Sequence, residues 1–159
     1  MLYFDARGNL KPYKPILSSV DEMIKYFVND IESETRKTNF ENYIRYSADL
    51  RKHTGGVSLK QWIDGSFVTL KANPKDIDIV TFLDQVQMKK LGALVNDFKM
   101  EGAHHLYGID AYIVEVYEPN SKYYSYTIGN TAYWHNFLAT TKKNRAGKEY
   151  RKGFLEIIY

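Results

Sequence analysis

Ile63-Asp64-Gly65-Ser66-Phe67-Val68-Thr69, then after a short spacer Pro74-Lys75-Asp76-Ile77-Asp78-Ile79-Val80, is the stretch on which the fold turns. Its second half places two aspartates, one residue apart, inside a β-branched apolar run. Side chains alternate faces along a strand, so Asp76 and Asp78 project to one side while Ile77 and Ile79 point to the other. Neighbouring carboxylates repel and raise one another's pKa unless a cation lies between them. A hard divalent ion such as Mg2+, bound through one or two carboxylates plus phosphate oxygens, is the usual remedy. Carboxylates that bridge such ions at a strand end commonly serve phosphoryl or nucleotidyl transfer. Gly65-Ser66 offers the complementary half. Glycine permits close backbone approach or positive φ, and a hydroxyl with turn amides suits phosphate oxygens. Asp110, which starts a later apolar alternation, is the best-placed third carboxylate for the same metal site.

The totals are compatible with this reading without demanding it. The 159 residues suffice for one well-buried domain, with 44% hydrophobic and 26% charged residues, as in ordinary globular proteins. A net charge of +3 permits a phosphate-bearing partner. The absence of cysteine excludes disulfides and thiolate metal sites and makes a reducing cytoplasm the simplest location. No apolar run reaches bilayer-spanning length, and the charged, Pro-containing N-terminus does not read as a signal peptide, so no membrane is expected.

Along the chain, residues 1–17 read as an extended lead-in. Ser19 and Glu22 fit a capping box opening a helix to about Ile31. A second helix is expected over 38–52, with Phe40, Tyr43, Ile44 and Leu50 inward, ended by Gly55-Gly56. Strands follow at 59–63 and 77–83. Asp84 caps a helix to about Phe98 with Val86, Leu91, Leu94, Val95 and Phe98 inward. Tyr107 to Tyr117 alternates like a strand, 130–139 reads as a short helix, 140–152 as a basic loop, and 154–159 as a last strand. The pattern predicts an α/β (α+β) domain over 1–159. Its mixed sheet is flanked by helices, with an N-terminal lead-in and helical pair over 1–57 and a core over 58–159.

With these residues in view, the chain resembles the polymerase-beta-like nucleotidyltransferase superfamily. The shared signature is an apolar residue, Gly-Ser, a spacer, then Asp-apolar-Asp-apolar. It is more closely similar to poorly characterised bacterial nucleotidyltransferase-like proteins that carry Gly-Ser-Phe-Val-Thr, Pro-x-Asp-Ile-Asp and an apolar-Asp-Ala-Tyr segment, matched here by Ile109 to Tyr112. They end in a Tyr-Trp…Arg…Gly-x-x-Lys-Gly tail, matched by Tyr133-Trp134, Arg145 and Gly147 onward, with extra basic residues at Arg151 and Lys152. The resemblance implies a nucleotidyltransferase fold with Asp76, Asp78 and Asp110 as catalytic carboxylates and ligands of Mg2+ (or Mn2+). It implies Gly65 and Ser66 on the β/γ-phosphates of a nucleoside triphosphate. The implied reaction moves a nucleotide to a protein or RNA hydroxyl, tRNA included, and releases pyrophosphate. The implied setting is a toxin–antitoxin or phage-defence system with a cognate partner protein.

Other features weigh less. The basic run from Lys142 to Lys152 is either a solvated loop or a phosphate or RNA contact, with Arg145 and Lys152 the first candidates for the nucleotide. His104-His105, read on a loop or strand, point in opposite directions and suggest a surface role. The fourteen tyrosines suit base stacking, but packing explains them more simply. Asp64 reads as a turn-fixing residue, and Glu115 falls on the face opposite Asp110. The competing readings are a catalytically inactive nucleotide- or partner-binding module and an RNA-binding accessory protein.

Overall fold

Two serine caps set where the N-terminal helices begin in the computed structural model, which describes residues 1–159. Ser19 Oγ accepts the Glu22 N–H at 3.1 Å and opens α1 (Val20–Ile24), which continues as a wider π-helical turn through Asn29. Ser33 accepts the Arg36 N–H and opens α2 (Glu34–His53), one turn earlier than the periodicity alone suggests. Of the α2 positions expected inward, Tyr43 and Leu50 are fully buried, while Phe40 and Ile44 pack at the margin.

The lead-in carries three short strands, β1 (Tyr3–Phe4), β2 (Leu10–Lys11) and β3 (Pro15–Ser18). The main sheet adds β4 (Lys60–Asp64), β5 (Asp78–Asp84), β6 (Asp110–Val116) and β7 (Phe154–Ile158) in the order β3-β7-β4-β5-β6. The sheet is mixed: β3 and β7 are parallel, β7–β4 and β4–β5 are antiparallel, and β5–β6 is parallel. The chain is therefore α+β, a mixed five-stranded sheet flanked by helices, and β1 and β2 form a small separate ribbon.

Alternation gives this sheet two unlike faces. Ile63, Ile79, Leu83, Ala111, Leu155 and Ile157 join the large core under α1 and α2. Trp62, Val80, Phe82, Val114 and Phe154 form a smaller core under α5 (Tyr124–Leu138). On the larger face, Gln61 crosses from β4 to α2 as a satisfied polar bridge. Its carbonyl accepts from Tyr43 Oη at 3.0 Å, and its amide donates to Ser47 Oγ and Thr81 Oγ1. No buried side-chain nitrogen or oxygen lacks a partner.

Several boundaries differ from the sequence expectation for local reasons. Asp84 does cap α3 (Gln85–Leu91) with a reciprocal Gln87 bond, but Gly92 turns the remainder into a 3-10 stretch through Phe98. Leu91 and Phe98 stay buried, whereas Val86 and Leu94 face solvent. Residues 100–107 form a further helix, α4 (Met100–Tyr107), ended by left-handed Gly108, so β6 starts only at Asp110. Helix α5 is longer than the expected 130–139; its sequence lacks an apolar stripe and only Leu138 is completely buried, so periodicity does not mark its first turns.

One buried cation ties the helical layer to the loop that follows β4. Arg36 is wholly enclosed, and its guanidinium donates to the carbonyls of Phe27 and Phe67 at 3.1 and 2.7 Å, and to those of Thr69, Lys71 and Ala72. Burial without a carboxylate partner lowers its pKa to about 10. A planar fork with five donors suits this ring of carbonyls, and a lysine ammonium with three does not. Arg36→Lys should therefore cost roughly 3 kcal/mol or more of stability in urea denaturation, although charge is conserved. An unchanged midpoint would show that the carbonyl ring does not hold this loop.

Candidate active site

The strand register aligns the acidic residues. Asp64 on β4 stands opposite Asp78 on β5, and Asp78 stands beside Asp110 on β6. Three aspartates on three neighbouring strands thus form a row at one sheet end. By alternation they lie on the α5 face. The Asp110 N–H donates to the Ile77 carbonyl at 3.0 Å, which closes the sheet beneath the row. Asp76 precedes β5, outside the strand whose alternation was expected to align it with Asp78, and lines the same cleft.

The Gly65-Ser66 turn lies directly against this row. Gly65 has φ +81°, and a Cβ there would run into the Asp78 carboxylate. Glycine is required both by the backbone and by the carboxylate behind it. Thr69 closes the turn by donating from its N–H and hydroxyl to the Ser66 carbonyl at 3.3 and 2.7 Å. Arg36 grips the carbonyls that follow, so a rigid support places the turn.

Asp64, read from sequence as a turn-fixing residue, is 5% exposed and holds Lys152, itself 6% exposed. The Lys152 ammonium donates to both Asp64 oxygens at 2.7 Å. Burial pushes the Asp64 carboxyl up, and Lys152 acts against that push. The contact also hangs the basic segment on the site. Thr141 N–H donates to the Tyr150 carbonyl and Lys152 N–H to the Ala139 carbonyl, making 140–151 a hairpin-like arm.

Asp78 lacks such a partner. Its carboxyl is pushed up to about 6, first by burial and then by the negative charges of Asp64, Asp76 and Asp110, with Lys142 opposing. His104 Nδ1 lies 3.6 Å from Asp110 Oδ1. The histidine pair therefore sits on helix α4, not on a loop or strand, and one of the two faces the acidic row.

A cleft of about 640 Å³ opens over these groups. It brings Asp76, Asp78, Gly65, Ser66 and Lys152 together, with Asp64 and the unforeseen Lys71 and Lys75. Lys142 and Lys143 of the arm also line it. Asp110 stands beside Asp78 without lining the cleft, and Arg145 lies at the exposed tip of the arm, away from it. Lys152 faces the cleft with its charge committed to Asp64. The signal for Asp64 was its alternation with Trp62 along β4, which only the β4–β5 pairing converts into proximity to Asp78.

The donor set is hard carboxylate oxygen, which suits Mg2+. No group of three His, Cys, Asp or Glu side chains is placed to hold a metal ion. Mg2+ commonly takes only one or two carboxylates and completes its shell with water and substrate phosphates, and Asp76 and Asp78 can supply that number.

The profile described as a family of unknown function (DUF6932) matches residues 2–158, and the chain belongs to that family. No curated protein and no solved structure matches the chain.

Breaking the buried pair from one side leaves an uncompensated charge, which typically costs about 3–5 kcal/mol. Lys152→Met should destabilise the protein by that order in chemical denaturation, and Asp64→Asn combined with Lys152→Met should recover most of the loss. Additive losses in the double variant would refute the coupling.

Proposed function

We propose that this member of the family is a divalent-metal-dependent nucleotidyltransferase with a nucleotidyltransferase fold. The observation that carries the reading is the direct packing of the Gly65-Ser66 turn against Asp78 within the Asp64–Asp78–Asp110 row. A glycine–serine turn and two carboxylates with no bonded cation, in a cleft also lined by Lys71, Lys75, Lys142 and Lys143, suit a triphosphate accompanied by a cation.

In this reading Asp76 and Asp78 hold Mg2+ or Mn2+, with Asp110 as the third carboxylate, and Gly65 and Ser66 receive the β- and γ-phosphates. When bound, the ion neutralises developing phosphate charge. The acceptor is a hydroxyl of a protein or RNA. Its oxygen attacks the α-phosphorus, the bond from the α-phosphorus to the α,β-bridging oxygen breaks, and pyrophosphate leaves. Asp110 orients the hydroxyl and takes its proton. His104, 3.6 Å from Asp110, is placed to steady that carboxylate. Lys142 and Lys143 balance charge on the phosphates, a task for which the exposed Arg145 is less well placed. The basic arm also suits an RNA acceptor, since lysine contacts to phosphate need no base sequence.

The test is incubation with each α-labelled nucleoside triphosphate, Mg2+ and cell extract, followed by identification of the labelled macromolecule. Wild type should transfer label, and Asp78→Asn should lose at least about 100-fold while remaining folded, since even outer partners of a metal ligand are worth 10–100-fold. Equal transfer by Asp78→Asn would overturn the site assignment. Triphosphate binding without transfer or pyrophosphate release would favour an inactive binding module. Salt-sensitive RNA binding that survives loss of both Asp76 and Asp78 would favour an accessory role.

A further inference from the structure

The transfer reading accounts for the phosphate end of a nucleotide but leaves an exposed aromatic group on α5 unexplained. Tyr133 and Phe137 are 59% and 49% exposed, one turn apart, with rings 6.1 Å apart and inclined by only 17°. They are not loosely hung. Trp134 stands edge-on to both, at 5.3 and 5.6 Å, and packs at 4.5 Å on Tyr112. Tyr112 lies two residues beyond Asp110 on the same face of β6. The ledge is thus buttressed onto the strand that carries the third carboxylate, so little side-chain freedom remains to be lost when a flat ligand settles on it.

Position selects the ligand. Phe137 is the only hydrophobic side chain that lines the acidic and basic cleft. The site is therefore polar over Asp78, Ser66 and the lysines and apolar at Phe137, and Tyr133, itself outside the cleft lining, extends that ring surface along α5. A nucleoside triphosphate has the same polarity, charged phosphates at one end and a flat π-system at the other. We infer that Tyr133 and Phe137 form the nucleobase platform for the nucleotide whose phosphates lie against Gly65 and Ser66; this rests on the transfer reading above. Stacking discriminates weakly among bases because every base has a π-face. The platform thus favours a nucleotide over its base-free equivalent and tolerates all four bases, with purines held most tightly by their larger area.

Calorimetric titration with Mg2+ and either α,β-methylene ATP or the α,β-methylene analogue of ribose 5-triphosphate, which lacks only the base, tests this. Wild type should bind the ATP analogue about 5- to 150-fold more tightly, the range of one base–aromatic stack. Tyr133→Ser combined with Phe137→Ser should still bind the base-free analogue but lose that preference. Tyr133→Trp combined with Phe137→Trp should keep it. Equal affinities in wild type, or a preference that survives the serine substitutions, would overturn the platform and leave the phosphate reading standing. Binding of neither ligand to wild type would overturn the transfer reading, and the platform with it.

Discussion

Repulsion among Asp64, Asp78 and Asp110, brought side by side by strand register, is the constraint around which the rest of the protein is arranged. Only Asp64 has a lysine or arginine bonded to it. Lys152 neutralises Asp64 in a dry, two-pronged contact and in doing so anchors the arm that carries Lys142 and Lys143 over the cleft. Asp78 keeps its charge deficit, softened by Lys142 at a distance. On the other side of the row, Arg36 draws the carbonyls of 67–72 inward and so sets the Gly65-Ser66 turn against Asp78. Two buried cations thus hold the surroundings still, and neither satisfies the carboxylate at the centre.

The sequence revealed what is local and missed what is relational. Asp76 and Asp78 at one cleft, glycine in the turn, the Ser19 and Asp84 caps and the α+β class all follow from periodicity and residue chemistry within a few positions. Asp64 did not, because its meaning depends on antiparallel pairing with Asp78 and on a lysine 88 residues away. Helix α4 was hidden by a short run whose Leu106 and Tyr107 also suit a strand, and the first turns of helix α5, expected only over 130–139, by the absence of an apolar stripe along a helix that leans on the sheet by few residues. The role of Arg36 was equally invisible, since its partners are all backbone carbonyls and carry no side-chain signature.

The two sheet faces divide the labour. The face under α1 and α2 carries the large apolar core and the satisfied Gln61 network, which provide most of the burial. The α5 face carries a smaller core and all three aspartates of the row. A destabilising group on the thinly covered face is tolerable because the other face holds the fold. Residues kept charged at the expense of stability are the expected mark of a site shaped for a ligand and not for packing.

That cost is directly measurable. Asp78 has its folded pKa raised from 3.8 to about 6, so its ionisation opposes folding. The penalty is absent below about pH 4, grows as pH rises towards 6, and is constant above it. Urea denaturation of wild type and Asp78→Asn across this range tests the account most directly. The variant should match wild type near pH 4 and exceed it by about 2–3 kcal/mol at pH 8. Equal stability at every pH, or a wild type more stable than Asp78→Asn at pH 8, would contradict the claim that Asp78 is an uncompensated charge within the row.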